Sequence, residues 1–333
     1  MPAVYTVLCL LLLLPLLLLV AAFICCRLAF SVPKQSREAL FAMPDTEQYR
    51  PYAETARQMI TAALVVPYEG ASVVSCDGLR LFGKYYAAAD PAAPWLILFH
   101  GYRSSAERDF CGGLAFGMAS GFHVLLVDQR AHGQSDGKYL TFGIKERRDC
   151  LAWVNFVVEK AGKSSRIVLY GMSMGAATVL MAAGTPLPDN VVGIVADCGY
   201  TSPSAIIQKV IRDLHFPQFP TYALLRLGGR LFGGFDIEEY SAAEAMEHCC
   251  TPVLFIHGED DRFVPCAMGR ENYRRCRSAE KELLTVPNAG HGMSNMADKP
   301  AYLRTVTNFL KKVLGKEQRQ ATPHLPLYTY DPT

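Results

Sequence analysis

The feature that most constrains the fold is an alternation of short apolar runs and amphipathic stretches that begins near residue 71. This alternation is typical of an α/β protein. The first two runs flank Asp77-Gly78, a hairpin-type turn, and the later runs are continuously apolar, as parallel strands covered on both faces are. The predicted strands are Ala71–Cys76, Leu81–Ala87, Trp95–His100, His123–Asp128, Arg166–Tyr170, Val191–Asp197, Pro252–His257 and Lys281–Val286.

Amphipathic stretches between these runs predict the helices of the same fold. They are Asp109–Ser120, Lys145–Ala161, Met174–Ala183, Cys266–Ser278 and Pro300–Leu314. We therefore predict a mostly parallel, eight-stranded sheet with helices on both faces, formed by residues 71–314. Residues 31–70 contain four prolines and predict a linker with a short helix near Tyr52–Leu64, and residues 315–333 predict a polar tail.

The interval 198–250 breaks the alternation. It contains two helix-like runs, Ser204–Leu214 and Tyr222–Phe232, each with an apolar face. An insert at the carboxyl edge of a parallel sheet lies where ligands bind, which favours a lid over an apolar pocket. Ordinary packing of the two helices on the core explains the same pattern, and the sequence does not separate the two interpretations.

The N-terminal segment predicts a membrane anchor over residues 1–30. Ala3–Cys26 has no charged side chain, is rich in leucine, and is long enough to span a bilayer. A cleaved signal peptide is the rival, but it favours a basic start and a shorter apolar core. Arg27, Lys34 and Arg37 follow the apolar run, so the positive-inside rule places the domain in the cytoplasm. The eleven cysteines show no CxxC pair or zinc spacing, which agrees with reduced thiols there.

The segment Gly171-Met172-Ser173-Met174-Gly175 follows a predicted strand and opens an alanine-rich helix. A serine on such a sharp strand-to-helix turn is exposed above the sheet, and glycines are needed where side chains would meet neighbouring backbone. The helix N-terminus also favours negative charge at the reacting centre. Ser173 is therefore the candidate nucleophile, and a tight glycine turn with an idle serine is the alternative.

A serine nucleophile needs a base and an acid, which later loops of such a sheet supply in the order Ser, Asp, His. Asp260 and Asp261 both follow the predicted strand Pro252–His257, and His291 follows the last strand in a glycine-flanked turn. His291 is the candidate base, and these positions leave the two aspartates as alternatives for the acid.

Two backbone N–H groups are candidates for stabilising an oxyanion. One belongs to Met174, directly after the nucleophile, and the other to Tyr102 in the loop after the strand Trp95–His100. His100 is expected to brace that loop.

These segments together resemble the esterase-like branch of the α/β-hydrolase family. Its DxRGHGxS loop is similar to Asp128–Ser135, with Ala131 in place of the first glycine. Its HGxxDxxVP acid loop matches His257–Pro265 and points to Asp261, and its histidine turn matches Asn288–Gly292. The resemblance covers about residues 70–314 and implies the triad without a cofactor or a metal.

The sequence thus predicts a membrane-anchored serine hydrolase that cleaves a small-molecule or lipid carboxylic ester through an acyl-enzyme. Thioesterase, lipase-like and peptidase activities use the same machinery and stay open. A catalytically idle, membrane-tethered binding protein on the same scaffold is the alternative from another class. The formal charge of +2 and the lack of a Lys/Arg block argue against a nucleic-acid partner.

Overall fold

A computed structural model describes residues 2–33 and 41–315 of the chain. Eight strands form one sheet, and helices pack on both of its faces. The elements in chain order are α1 (Pro2–Phe30), α2 (Ala53–Leu64), β1 (Glu69–Val74), β2 (Arg80–Tyr86), β3 (Trp95–Phe99), α3 (Ala106–Ala119), β4 (His123–Asp128), α4 (Glu146–Ala161), β5 (Ile167–Met172), α5 (Met174–Ala182), β6 (Val191–Asp197), α6 (Pro203–Asp213), α7 (Gln218–Gly228), α8 (Ala242–Met246), β7 (Val253–Gly258), α9 (Cys266–Arg275), β8 (Lys281–Val286), α10 (Ser294–Ala297) and α11 (Lys299–Leu314).

The strand order is β1-β2-β4-β3-β5-β6-β7-β8. β1 and β2 form an antiparallel hairpin, β2 pairs antiparallel with β4, and all later pairings are parallel. The predicted fold class is confirmed, and the strand ends differ from the prediction by two residues at most. β5 extends to Met172 because Gly171 and Met172 still pair with Ala196 and Asp197 of β6.

The central strands are buried on both faces, which explains their uninterrupted apolar sequences. Every residue of β3 and β4 is buried. Alternate residues of β3 contribute to two different apolar clusters, because successive side chains point to opposite faces. α4 and α5 cover one face, and α3 and α11 cover the other. The sheet is thus a fixed platform, and the loops at its carboxyl edge are free to carry the chemistry.

The last ten residues of α1 pack on the domain, a feature that the predicted anchor boundary at residue 30 did not include. Ala22, Cys26 and Phe30 are fully buried and repeat every four residues, so they share one face of the helix. Gly228 of α7 permits the close approach, because a Cβ there would lie 2.3 Å from the carbonyl oxygen of Ala22. Cys26 and Phe30 belong to the main core cluster. This end of α1 is therefore part of the α/β domain.

The segment predicted as a linker also packs on the domain over its described part, residues 41–70. The expected short helix forms as α2, and it buries Ala56, Ile60 and Ala63. α2 contacts α3 beside the carboxyl edge of the sheet. Residues 34–40 of the linker prediction and residues 316–333 of the predicted tail lie outside the described residues.

The insert between β6 and β7 packs on the core and on α1. In α6 the buried positions include Ile206, Ile207 and Ile211, all in the main cluster. In α7 the buried positions are Leu225 and Gly228. Ordinary packing on the core therefore accounts for the buried faces of the two helices.

A buried ion pair joins three parts of the chain around the loop after β4. The guanidinium of Arg130 donates from Nε and Nη2 to the two carboxylate oxygens of Asp149 at 2.6 and 2.7 Å. Its Nη1 donates to Asp77 in the β1–β2 turn at 2.9 Å. Ala131 follows with a φ of 64°, where the resembling family has glycine. This conformation costs a non-glycine residue on the order of 1–2 kcal/mol, so the ion pair holds a strained loop.

We expect Arg130→Met to destabilise the protein by about 3–5 kcal/mol, because the substitution leaves the buried carboxylate of Asp149 without its cation. Asp77→Asn is the matched control. The Asp77 side chain is 36% exposed, so its loss should cost at most about 1 kcal/mol. Urea denaturation of the full chain in detergent measures both. Equal midpoints for the two variants would contradict the role given to Arg130.

Candidate active site

Ser173 lies in a strained turn between β5 and α5. Its φ of 56° and ψ of −116° are rare for a residue with a side chain. Gly171 and Gly175 allow the turn, because a Cβ on Gly171 would lie 2.1 Å from the Gly175 carbonyl oxygen. A Cβ on Gly175 would lie 1.8 Å from the carbonyl oxygen of Phe99 in β3. Such strain, of order 1–3 kcal/mol, persists where the surrounding packing enforces it, and here it presents Ser173 Oγ at the sheet edge.

The structure brings Ser173, His291 and Asp261 into one hydrogen-bonded chain. Ser173 Oγ lies 2.9 Å from His291 Nε2, and His291 Nδ1 lies 2.7 Å from Asp261 Oδ2. The other candidate acid, Asp260, is exposed, and its backbone N–H bonds to Ala289 O at 3.1 Å. Of the two aspartates, Asp261 is therefore the one that faces the imidazole.

The carboxylate of Asp261 is held by further contacts. Its Oδ1 accepts from the backbone N–H groups of Phe263 and Val264 at 2.9 and 2.8 Å, and His257 Nε2 lies 3.4 Å from Oδ2. Burial alone would raise its pKa, but the charge of His291 and hydrogen bonds from His257 and His291 hold the pKa well below its usual range. Asp261 thus remains ionised and accepts a hydrogen bond from the N–H at His291 Nδ1.

The loop after β3 passes directly over the nucleophile. A Cβ on Gly101 would lie 3.2 Å from Ser173 Cβ. The N–H of Gly101 donates to Asp109 Oδ2 at 2.6 Å, and the N–H of Arg103 donates to His132 Nε2 at 3.1 Å. Of the three N–H groups of residues 101–103, the one of Tyr102 is thus still available to bind a substrate, within the described part of the chain.

The second predicted oxyanion donor, Met174, is the first residue of α5. Its N–H has no acceptor within the helix, because the first four N–H groups of an α-helix have none. The position beside the nucleophile combines this free donor with the positive end of the helix dipole. The two predicted donors therefore come from the two segments that meet at Ser173.

The C-terminal end of α1 holds the loop after β3, residues 101–103, here called the candidate oxyanion loop. Tyr102 Oη donates to Ala29 O at 2.9 Å, and Arg103 donates from Nε and Nη2 to Ser31 O at 3.0 and 2.8 Å. Arg103 Nη2 also donates to Leu28 O. The last carbonyls of a helix have no intrahelical donor and favour a cation, so Arg103 satisfies both needs. The apolar helix and the candidate oxyanion loop thus form one bonded unit.

A cavity of about 520 Å³ opens beside Ser173. Its apolar wall includes four methionines, and its polar side includes Arg108, Asp109 and Asn295. The lining residues are Met43, Pro44, Thr46, Gln48, Tyr49, Ala56, Ile60, Gly101, Tyr102, Ser104, Arg108, Asp109, Cys111, Met172, Ser173, Arg262, Phe263, His291, Gly292, Met293, Asn295 and Met296.

The cover of this cavity comes from the segment before the sheet. Residues 43–60 contribute seven of the lining positions, whereas none of those lining positions belongs to the 198–250 insert that the sequence proposed as a lid. Tyr49 Oη donates to the carbonyl of His291 at 3.0 Å, and Gln48 Nε2 donates to the carbonyl of Asp260 at 2.8 Å. These bonds fix the segment over the histidine turn and the acid loop.

Sequence reasoning missed Asp109, Tyr49 and Gln48 as site residues. Asp109 begins a predicted helix seven residues after Tyr102, and an acid at the start of the helix that follows the His100-Gly101-Tyr102 loop is a signal for its contact with that loop. Tyr49 carried no comparable signal, because 242 positions separate it from His291. Burial raises the pKa of the Tyr49 phenol, and the negative charge of Asp261 raises it further.

A buried thiol adjoins the triad. Cys198 Sγ and the ligand atoms of Asp261 and His291 lie within 4.8 Å of one another, a donor set that a metal ion can use. Burial raises the pKa of the Cys198 thiol well above its usual value, so the group is protonated at neutral pH. A metal there would have to displace the hydrogen bond between His291 and Asp261.

Known proteins with a similar sequence or structure fit this architecture. Residues 115–317 match the prolyl oligopeptidase family. The YqkD protein of Bacillus subtilis is 28% identical over 298 residues, which cover 88% of this chain and 94% of YqkD. A membrane protein of Saccharomyces cerevisiae is 27% identical and covers 57% of this chain and 61% of its own length. An esterase of Pyrococcus furiosus superposes with a TM-score of 0.61 and 26% identity, covering 76% of this chain and 94% of the esterase.

The family match extends over more than half of the chain and includes Ser173, Asp261 and His291. The sheet order and the serine turn agree with it. The chain therefore belongs to the prolyl oligopeptidase family, a family of α/β-hydrolases.

Proposed function

We propose that this hydrolase cleaves carboxylic esters through an acyl-enzyme formed on Ser173. The observation that carries the proposal is the hydrogen-bonded chain from Asp261 through His291 to Ser173, which ends in a largely apolar cavity. The likeness to an esterase of known structure supports the ester as substrate.

In the proposed first half-reaction, two proton transfers pass through His291. Ser173 Oγ attacks the ester carbonyl carbon while its proton passes to His291 Nε2. Asp261 keeps the other imidazole proton on Nδ1 and stabilises the imidazolium that forms. The carbonyl oxygen becomes an oxyanion, which accepts from the N–H groups of Tyr102 and Met174. His291 then gives its proton to the departing alcohol, and the acyl group remains on Ser173.

The second half-reaction uses the same groups on water. His291 Nε2 takes a proton from the water that attacks the acyl carbonyl, and the same two N–H groups stabilise the second oxyanion. Return of the proton to Ser173 Oγ releases the carboxylic acid and restores the enzyme.

The cavity wall favours an apolar acyl group. Met43, Ile60, Met172, Met293 and Met296 line it beside the nucleophile. Methionine side chains adapt to flexible chains, and each buried methylene contributes about 0.8 kcal/mol to binding. The volume is within the range of roughly 300–1,000 Å³ that small ligands occupy.

The family match makes peptide hydrolysis the second candidate, because the family is named for an oligopeptidase activity. The triad and the oxyanion donors serve an amide as well as an ester. Matched p-nitrophenyl esters and peptide p-nitroanilides separate the two, since the better substrate class has the higher kcat/KM.

We propose that α1 anchors the protein in a membrane, with the domain on the cytoplasmic side. Within the described residues, one helix is long and apolar enough to span a bilayer, with a mean hydropathy of 2.5 over Leu13–Phe30. The similar yeast protein is a membrane protein. Arg27 in the last turn of α1 supports the orientation through the positive-inside rule.

Ser173→Ala should abolish hydrolysis of p-nitrophenyl butyrate, with a loss of at least about 10³-fold in kcat, because the nucleophile is removed. The melting temperature should stay equal to or above that of the wild type, since the strained turn is retained. A folded Ser173→Ala protein with more than about 1% of the activity would show that another residue is the nucleophile.

Asp261→Asn should lower kcat by about 10³–10⁴-fold, because the amide permits the wrong imidazole tautomer. Asp260→Asn is the neighbouring control and should change kcat by less than about threefold, since Asp260 is exposed. Steady-state kinetics on the two purified variants tests the assignment, and similar rates for both would refute it.

The rate should rise with acyl length from acetate towards octanoate as the methionine-lined wall is filled. Four added methylenes contribute roughly 3 kcal/mol, or about a hundredfold in kcat/KM. A series of p-nitrophenyl esters below their micelle concentrations provides the measurement. A steady fall beyond acetate would refute the apolar acyl pocket and leave the triad assignment intact.

The full chain should remain in the membrane pellet after an alkaline carbonate wash and should keep its N-terminal residues. The physical reason is that burial of the α1 side chains in hydrocarbon does not depend on charge. N-terminal sequencing of the pelleted protein completes the measurement, and a mature chain that starts near residue 25–30 would indicate a cleaved signal peptide.

A further inference from the structure

We propose that a second part of the domain docks on the lipid bilayer beside α1. The docking surface consists of Phe23, Ile24, Leu227, Leu231 and Phe232, here called the interfacial patch. It joins the exposed face of α1 to that of α7 and the turn after it. The inference rests on the proposed anchoring by α1 and goes beyond it, because it fixes how the domain lies on the membrane.

α1 consists of a free part and a part that packs on the domain. Every described side chain before Ala21, which means Tyr5 and residues 13–20, is exposed. The Pro2–Val20 part of the helix is about 28 Å long, close to the roughly 30 Å of a bilayer's hydrocarbon core. Domain contacts begin at Ala22, where the side chain is fully buried. The edge of the hydrocarbon core therefore falls near Val20.

Contacts between α7 and α1 fix the height of α7 relative to that edge. Gly228 lies against the backbone of Ala22, and the rings of Phe232 and Phe23 meet edge to face with their centroids 5.2 Å apart. Leu227 and Leu231 flank these contacts on the same short stretch of chain. The α7 end of the insert is therefore level with the first turn of α1 outside the hydrocarbon core.

The side chains of the interfacial patch are exposed. Leu227, Leu231 and Phe232 are 36%, 54% and 37% exposed, and Phe23 and Ile24 are 44% and 50% exposed. The exposed positions Ala223 and Leu227 of α7 are four residues apart, and Leu231, in the turn after α7, follows Leu227 by another four, so the three continue one apolar stripe. An apolar stripe next to a membrane helix matches the region where acyl chains meet headgroups.

The charge beside the patch fits a lipid surface better than a protein partner. Arg27 is exposed and follows Phe23 by one helical turn, about 6 Å farther from the hydrocarbon edge. Lipid phosphates lie in this layer, since headgroups add several ångströms on each side of the core. A cation at the phosphate level above aromatic and aliphatic side chains is the usual arrangement at a membrane interface.

The docking would set the position of the active site. Tyr102 and Arg103 bond to Ala29 and Ser31 at the end of α1, so the candidate oxyanion loop cannot move independently of the helix. Leu28, the first carbonyl that Arg103 reaches, lies about 12 Å beyond Val20 along the helix. Contact through α7 adds a second support to α1 and would prevent the domain from tilting about the helix.

The test places single tryptophans in the full chain, reconstituted into phosphatidylcholine vesicles that contain brominated lipids. Leu231→Trp reports on the interfacial patch, and Leu17→Trp reports on the free part of α1. Val74→Trp, on the exposed face of edge strand β1, is the control outside the interfacial patch. The native Trp95 and Trp153 are 2% and 0% exposed and provide a constant background.

We expect the Leu231→Trp emission to be lost most strongly with bromine near the lipid carbonyls. Bromine deep in the acyl chains should quench Leu17→Trp instead, and Val74→Trp should be unaffected by either lipid. An unquenched, water-like Leu231→Trp signal would overturn the docking. A blue-shifted but unquenched signal would also overturn it, by indicating a protein partner or a second copy of the chain on the patch. An unquenched Leu17→Trp would refute the anchor itself.

Discussion

The close approach between the turn after β5 and the end of β3 is the constraint on which the rest of the site depends. Gly175, the second residue of α5, lies against the carbonyl of Phe99, and any side chain there would push the start of α5 away from β3. This contact holds Ser173 in its strained conformation and brings the loop after β3 over it. The candidate nucleophile and the candidate oxyanion loop thus share one rigid junction, and the loops after β7 and β8 bring Asp261 and His291 to it.

Two segments outside the sheet also hold the candidate site in place. The end of α1 bonds to Tyr102 and Arg103, and the segment before β1 covers the histidine turn through Tyr49. Both segments precede the α/β alternation in the chain, yet they contribute to the active site as directly as the sheet loops do. A truncation that removes the apolar helix would therefore also remove acceptors that hold the candidate oxyanion loop.

These contacts explain the sequence pattern of the insert after β6. Its helices bury isoleucines against the core, and α7 packs on α1 through Gly228. Its leucines are divided between an inner face and an exposed stripe, which explains why the sequence alone suggested both a lid and ordinary packing. The proposed docking on lipid assigns the exposed stripe a role that neither interpretation included.

The amino-acid sequence was sufficient to predict the strands of this protein and the order of the chemical groups at its candidate site. Local periodicity reflects local geometry, so the eight strands, the glycine turn at Ser173 and the loops that carry Asp261 and His291 were predictable within two residues at the strand ends. The family resemblance, more than the spacing of charges, separated Asp261 from Asp260.

The tertiary structure alone decided which segments cover the site. No periodicity in the sequence relates Tyr49 to His291, or Arg103 to the carbonyls of α1, because such contacts join positions that are 72 to 242 residues apart. The acceptors in these bonds are backbone carbonyls, which every residue possesses, so residue type gives no sign of which residue will accept. Packing of α1 and of residues 41–64 against the carboxyl edge of the sheet selected them.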